Sequence, residues 1–430
     1  PSVAPTTPPN SITSHVGESD KPPLTPLRPK VNSIFHLFGE WLFEAALIGT
    51  TPSYNNTQLK CNNRNSPKGT LNLVDFLSYP MSGRAEALGT VCRVLCSKQC
   101  REEVLAPYLA RCYAAIRRGL RDPATAAAVV LNSPDIFRLD LDGVLVLVPD
   151  YVSALDRILS EKDPKLECGS IDKRELRKAA ISALLSLVAF PHHYRGLPLI
   201  LSSSAGMTIG DFARGKLSLI CVSAVQVECS DALAVPLLSA LYLCVRHNAY
   251  TATSGKAYSS WIASIPDYYN LFMNPGAALV VRATYLVCHR LISSWKGDLQ
   301  VSLAALELLS GLAKLHSAKP VFDTLPYSTE AIERKRAVRW ICDYITVQCG
   351  RPPQAHSRDL HSCVVAAYSC LAAWLCPALL ADPDCLATLL EVVELGISGS
   401  KSQGERLIQL YSIQESIHRF ILTQARIRQG

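Results

Sequence analysis

The 430-residue chain is 49% hydrophobic, 7% aromatic and 18% charged, a composition too apolar for a protein that is disordered throughout. Its net charge of +7 comes from 43 basic and 36 acidic residues spread thinly along the sequence, whereas nucleic-acid-binding proteins usually concentrate their basic residues. The length argues against one compact core. We expect either two or three domains or an elongated array of small helical units.

Sixteen cysteines raise the question of a disulfide framework. No basic and apolar secretory signal is visible at the start of the sequence. Most of the cysteines, such as Cys244 and Cys288, lie within apolar stretches, where a thiol behaves as a small buried hydrophobic group. We therefore expect reduced cysteines and a cytoplasmic protein. Because the sequence starts at Pro1 without a methionine, we interpret it as a fragment or an incomplete gene prediction.

The first thirty residues hold eight prolines among serine, threonine and asparagine. Proline lacks a backbone donor, and such a segment has little apolar surface to bury, so residues 1–30 are predicted to be a disordered linker. The pattern changes after Lys30, where apolar residues follow the three-and-four spacing of one helix face. These residues are Ile34, Leu37, Phe38, Trp41, Leu42 and Ala45.

This spacing predicts an amphipathic helix over 31–48. We expect the helix to bury Phe38, Trp41 and Leu42 against the rest of the protein, because large apolar side chains are costly to leave in water. The alternative is that the apolar face stays exposed and docks with a partner. Sequence alone leaves both interpretations open.

Residues 50–82 are rich in asparagine and contain three prolines, so they are predicted to form a loop. Asp172, followed by Glu175, is the residue type expected at a helix N-cap. Alternating strand patterns are nearly missing, and the best strand candidate is 144–148. Helical patterns fill most of the remaining chain, and the sequence therefore predicts an all-α fold. They cover 84–100, 103–120, 124–131, 149–160, 172–188, 217–229, 231–247, 277–295, 298–315, 329–348, 358–380, 384–396 and a stretch near 404–428.

Helices of ten to twenty residues joined by short breaks are typical of an α-solenoid built from irregular HEAT- or armadillo-like helical pairs. We predict this helical-repeat region over 31–402, with loops near 50–82, 191–216 and 248–276. Residues 403–430 form a separate C-terminal tail in this interpretation. A single helical bundle is the alternative architecture.

Residues 362–381 carry no charged side chain and have the length of a membrane-spanning helix. Pro377, several alanines and the polar sequence that precedes the stretch favour a fully buried central helix instead. We therefore expect no membrane span. The segment from Glu333 to Arg339 holds the densest basic cluster, which we interpret as a solvated helix face and not as a phosphate or nucleic-acid site.

No constellation of residues indicates catalysis. The sequence Gly-Ile-Ser-Gly-Ser-Lys-Ser at 396–402 lacks P-loop spacing and a preceding strand, so we interpret Gly396 as the residue that follows a helix. The cysteines at 92, 96 and 100 share a helix face, but no second pair of zinc ligands is evident, which favours core packing.

Histidines occur in two clusters. His192 and His193 are adjacent, and His356 and His361 lie close to Cys363. Neither cluster has a base, an orienting carboxylate or a further ligand at a defined distance. We interpret the second cluster as surface histidines at a helix N-terminus, with Asp359 in its first turn. The sequence thus predicts no catalytic residue, no cofactor-binding residue, no metal ligand and no cofactor.

Several segments resemble the beta subunit of Ral GTPase-activating complexes, and they keep one order from about residue 28 to 402. Weaker likeness continues over 131–149 and 175–194, whereas the loops at 50–82 and 191–276 and the residues from Gln403 onward depart from the family. The strongest segments are 28–46 (RPKVNSIFHLFGEWLFEAA), 83–98 (GRAEALGTVCRVLCSK), 298–315 (DLQVSLAALELLSGLAKL), 349–375 (CGRPPQAHSRDLHSCVVAAYSCLAAWL) and 390–402 (LEVVELGISGSKS).

The resemblance implies a regulatory or scaffold subunit that forms a heterodimer with a catalytic alpha subunit and thereby acts on Ral GTPases. In this family the catalytic asparagine belongs to the alpha subunit, and no residue of this chain matches its motif. We therefore expect a non-enzymatic protein whose GTPase-activating role depends on the complex. The alternative is a general helical-repeat adaptor in vesicle trafficking.

Overall fold

The computed structural model describes residues 29–48, 73–165, 171–199, 207–251, 275–317 and 327–398. Within these ranges the chain is helical and contains no β-strand; one isolated bridge joins Pro198 and Thr208. The helices are α1 (Val31–Leu47), α2 (Leu73–Cys96), α3 (Ala106–Arg121), α4 (Pro123–Asn132), α5 (Val148–Leu159), α6 (Lys173–Leu187), α7 (Phe190–His193), α8 (Ile209–Val227), α9 (Asp231–Thr251), α10 (Pro275–Ser293), α11 (Leu299–Ser317), α12 (Tyr327–Cys349), α13 (Arg358–Trp374), α14 (Pro377–Leu380) and α15 (Pro383–Ser398).

The longer helices form two packed layers. In the first layer α1, α3, α5, α8, α10, α12 and α15 each contact the next, and in the second layer α2, α4, α6, α9, α11 and α13 do the same. Most of the long helices that follow one another in sequence pack across the two layers. One hydrophobic cluster runs from Val31 in α1 to Val392 in α15. This is the architecture of an α-solenoid, so the predicted fold is confirmed.

Local sequence explains where many helices begin. The side chains of Asp122 and Asp172 accept hydrogen bonds from backbone amides of the first turns of α4 and α6, at 3.0 and 2.9 Å. Ser357 accepts from the amide of Leu360 at the start of α13. These caps satisfy donors that have no partner within the helix. The predicted cap at Asp172 is confirmed.

Two predicted helix boundaries and one predicted strand were wrong. Residues 73–82, predicted as loop, belong to α2, which continues through the proline at 80. The strand candidate at 144–148 instead forms a 3₁₀ turn, Val144–Leu147, that leads into α5. Helix α8 starts at Ile209 and not at 217, because Thr208 caps it by accepting from the Asp211 amide.

The predicted central helix at 358–380 is also shorter than expected. Helix α13 ends at Trp374, and the short α14 begins at Pro377, where a proline can start but not continue a helix. Its exposed Val365 shows that 362–381 is not fully buried. By length and composition, the stretch Asp231–Ala249 of α9 is able to cross a membrane. In this structure α9 packs between α6 and α11, with half of that stretch buried.

Helix α1 forms as predicted, but it buries a different face. The side chains against the core include Phe35, Phe43 and the correctly predicted Leu42. Phe38 and Trp41, which the sequence pattern placed in the core, are exposed. Apolar residues occupy both sides of this helix, and its packing selects only one of them.

Some predictions fall on residues outside those that the structure describes. They are the linker at 1–28, most of the loop at 50–82, the middle of the loop at 248–276, and the tail from 403 to 430. The proposed division into a linker, a repeat region and a tail stays a prediction.

Candidate interaction surface

The first helix of the array presents an exposed apolar surface, which we call the α1 apolar face. It consists of Leu37, Phe38, Trp41 and Ile48, with exposed fractions of 72%, 56%, 68% and 55%. Their spacing places them along one side of α1. A cluster of large exposed apolar side chains is unusual on a soluble protein and commonly marks an interaction site.

The opposite side of α1 is held by α3 and by the segment just before it. The side-chain Nδ2 of Asn32 donates to the Glu103 carbonyl at 2.8 Å, and its Oδ1 accepts from the Leu105 backbone amide at 3.0 Å. The Arg111 guanidinium lies 4.6 Å from the centre of the Phe43 ring. Because Asn32 and Phe43 are held in this way, the orientation of α1, and hence of its apolar face, is set by the array.

Ion pairs join neighbouring parts of the array. The Nη1 atom of Arg84 in α2 contacts Asp122 Oδ2 at 2.5 Å, and its Nε donates to the Ala46 carbonyl at the end of α1. Asp150 of α5 accepts from Arg117 and Arg121 of α3, each through Nε at 2.8 Å. These pairs tie successive helices together and favour a rigid scaffold.

The most buried pair is Arg177 with Glu228. Arg177 Nε donates to Glu228 Oε2 at 2.9 Å, and the two side chains are 9% and 3% exposed. Glu228 follows α8, and its other oxygen accepts from the amides of Cys229 and Ser230. Arg177 also donates to the carbonyls of Ile158 and Glu161. This pair is not predictable from the sequence, because the two residues are 51 positions apart and no local pattern links them.

The residues of the basic segment from Glu333 to Arg339 lie in different environments. Arg334 is buried, and its Nη1 atom donates to the Trp374 carbonyl at 3.3 Å. Lys335 pairs with Asp382, and Arg336 pairs with Glu333. The prediction of a solvated face was therefore wrong for Arg334, which serves as a structural contact between α12 and α13.

The three cysteines of α2 and the turn after it lie in different environments. Cys92 is buried, Cys96 is partly buried and Cys100 is exposed. Burial raises the pKa of the Cys92 thiol to about 12 and also raises that of Cys96. Both thiols are therefore protonated at neutral pH, and the burial of Cys92 agrees with its predicted packing in the core.

The two histidine clusters lie at different places in the fold. His356 and His361 are exposed beside the N-terminus of α13, and the ring of His356 hydrogen-bonds the Arg351 carbonyl. Asp359 lies in the first turn of that helix, as predicted. His192 faces His247 of α9, whose pKa is lowered by burial and by the nearby Arg214. Among the described residues, no group of three or more His, Cys, Asp or Glu is placed to hold a metal ion.

Gly396 was predicted to follow a helix, but it lies inside α15. A Cβ atom at this position would come within 2.2 Å of the Tyr368 hydroxyl, which donates to the Val392 carbonyl at 2.7 Å. Glycine is therefore needed for close packing of α13 on α15. Residues 399–402 of the P-loop-like sequence lie outside the described residues.

Comparison with known proteins finds clear relatives. The chain is 36% identical to the Ral GTPase-activating protein subunit beta of Homo sapiens, over 94% of this chain and 31% of the human protein. It is similar to Ral GTPase-activating protein beta subunits over nearly all of its length. The corresponding protein of Mus musculus is 34% identical over 93% of this chain and 30% of its own length. The family resemblance predicted from the sequence is confirmed.

The chain spans about a third of the length of these curated beta subunits. A Rap-GAP domain-containing protein of Dictyostelium discoideum is 25% identical over 74% of this chain and 18% of its own length. No protein-family model matches the chain. No solved structure matches it either.

Proposed function

We propose that this chain is part of a regulatory subunit of a cytoplasmic, heteromeric GTPase-activating complex that acts on Ral GTPases. In this proposal it forms a heterodimer with a catalytic alpha subunit and does not itself catalyse GTP hydrolysis. The single observation that carries the proposal is the similarity to Ral GTPase-activating protein beta subunits over 94% of the chain.

The structure is compatible with a supporting role. A two-layered helical array offers a long surface for protein contacts. GTPase activation commonly depends on an exposed arginine or a polar side chain that reaches the nucleotide. Arg84, Arg177 and Arg334 are buried and bonded within the array, so these three arginines cannot serve as such a group. Among the residues that the structure describes, no observation favours the vesicle-trafficking adaptor.

We expect the purified chain alone to leave the rate of GTP hydrolysis by Ral unchanged. A catalytic group supplied in trans accelerates hydrolysis by about 10³–10⁵-fold, so its presence would be easy to detect. The measurement is a single-turnover assay on Ral loaded with GTP, with and without an excess of the chain. A catalytic alpha subunit serves as the positive control. Stimulation of hydrolysis by the chain alone would show that the non-catalytic assignment is wrong.

A further inference from the structure

Basic side chains lie together where α7, α8 and α9 meet. The ring centres of His192 and His193, at the end of α7, are 5.4 Å apart, and the His247 ring of α9 lies 6.5 Å from that of His192. Burial lowers the pKa of His247, and the nearby charges of Arg214, His192 and Arg195 lower it further. We call these five residues the α7–α9 basic cluster.

The turn after α7 holds Arg195 against the start of α8. A Cβ atom at Gly210 would come within 2.6 Å of the Arg195 Cα, so glycine is needed for this close approach. The Ile209 amide donates to the Leu197 carbonyl at 2.8 Å, which ties the turn to the helix. Arg214 lies one helical turn after Gly210 and therefore shares this side of α8. Backbone packing thus places the two arginines on the same side of the helix.

The basic groups of the cluster outnumber the carboxylate that pairs with it. Asp211 contacts Nη2 of Arg214 at 3.1 Å, and the Asp211 side chain is 56% exposed. Segments 200–206 and 252–274, which adjoin α8 and α9 in sequence, contain one aspartate and one lysine, so they add no net charge. In the described part of the chain, each charged residue that shifts the pKa of His247 is basic. The cluster therefore favours an anion.

Arg214 carries a donor that lacks an acceptor among the described residues. Its side chain is 12% exposed, and its Nε atom is buried there without a hydrogen-bond partner. A buried donor of this kind is destabilising, because it has lost water and gained no acceptor. The guanidinium is a rigid fork of donors that matches the oxygens of phosphate and carboxylate groups. Arg214 can therefore receive an anionic oxygen in addition to that of Asp211.

We propose that the α7–α9 basic cluster binds a phosphate group, carried either by free inorganic phosphate or by a phosphorylated side chain of another protein. The Nε atom of Arg214 would donate to one phosphate oxygen, and Arg195 and His192 would donate to others from the turn after α7. Donors from separate elements suit a phosphate better than a carboxylate, which offers only two oxygens. This inference goes beyond the proposed function, because the site needs no contribution from an alpha subunit.

The test is a titration of the full chain with inorganic phosphate at constant ionic strength, followed by the NMR signals of its histidine rings. The signals of His192 and His247 should shift and saturate, whereas those of His356 and His361, which are exposed beside α13, should not. Histidine-to-asparagine variants assign the signals. Equal shifts at both places that do not saturate would show nonspecific attraction and would overturn the inference.

Two variants measure the contribution of the cluster. Arg214→Gln should weaken phosphate binding about tenfold or more, because it removes a charged hydrogen-bond donor. His192→Asn, at an exposed position, should weaken it about threefold. Circular dichroism melts show whether each variant is folded, and His192→Asn keeps the test decisive if Arg214→Gln is not. Unchanged affinity in a folded variant contradicts the proposed site.

Arg336→Gln is the matched control. Like Arg214, Arg336 pairs with an acidic residue three positions earlier, Glu333, but it lies on α12, two helices further along the first layer. Its replacement should change the phosphate affinity less than about twofold, because exposed charges far from the site are screened. An effect as large as that of Arg214→Gln would mean that only the net charge of the chain matters, and the inference would be wrong.

O-phosphoserine distinguishes the two sources of the phosphate group. If it produces the same saturable shifts as inorganic phosphate, and serine produces none, the site takes phosphorylated side chains. If inorganic phosphate alone binds, the site takes the free ion. If neither compound binds saturably, the cluster is not a phosphate site.

Discussion

Replacement of Trp295 by alanine is expected to lower the free energy of unfolding by about 3–5 kcal/mol, the usual cost of removing a large aromatic side chain from a core. Trp295 is fully buried just after α10. The Arg290 guanidinium lies 4.7 Å from the centre of the Trp295 indole ring. The Trp295 backbone carbonyl accepts a hydrogen bond from the Ser302 hydroxyl of α11. The substitution would leave a cavity where α10 meets α11. Urea titration followed by circular dichroism measures the effect.

The matched control is the same substitution at Trp41. Because this side chain is exposed on the α1 apolar face, Trp41→Ala should change the free energy of unfolding by less than about 0.5 kcal/mol. The contrast between the two tryptophans tests the orientation of α1. Equal losses of stability for both variants would mean that Trp41 is buried after all, as the sequence pattern suggested.

Replacement of Glu228 by alanine is expected to destabilise the protein by about 3–5 kcal/mol, because it leaves the buried Arg177 guanidinium without its carboxylate. The amides of Cys229 and Ser230 would lose their acceptor as well. The substitution would loosen the turn between α8 and α9. It would also loosen the end of α5, where Arg177 donates hydrogen bonds to two backbone carbonyls. The free energy of unfolding from urea titration is again the measurement.

Glu86 provides a control of the same residue type. It pairs with Arg93 at 2.6 Å on the surface of α2, where both side chains are largely exposed. Exposed pairs typically contribute only about 0–1 kcal/mol, so Glu86→Ala should have a small effect. If Glu228→Ala were equally mild, the buried pair would not hold the joint between these helices.

Much of the fold was predictable from local sequence. Helical spacing and caps such as Asp172 indicated the all-α array. These signals are readable because the start of a helix depends on a few adjacent residues. The start of α8 was also readable in principle from Thr208 and Asp211, whose spacing resembles a capping box. The proline at 80 suggested a loop and the valines near 144 suggested a strand, and both predictions were wrong. Local propensity is a weak guide, because tertiary context often overrides it.

The interaction surface was less predictable. Apolar residues cover both sides of α1, so the pattern indicated an amphipathic helix but not which side meets α2 and α3. The contacts of Asn32 with the segment before α3, and of Phe43 with α3 itself, leave Phe38 and Trp41 facing outward. The pairing of Arg177 with Glu228 was hidden for a related reason, since long-range contacts leave no periodic signal in one sequence.

Identification of the proteins that bind the chain tests the proposed function most directly. The full chain, immobilised and exposed to an extract of its own cells, should enrich a GAP-domain alpha subunit when the bound proteins are identified by mass spectrometry. An immobilised unrelated helical-repeat protein should not enrich it. Recovery of vesicle-trafficking proteins without any GAP-domain subunit would contradict the proposal and would favour the general adaptor.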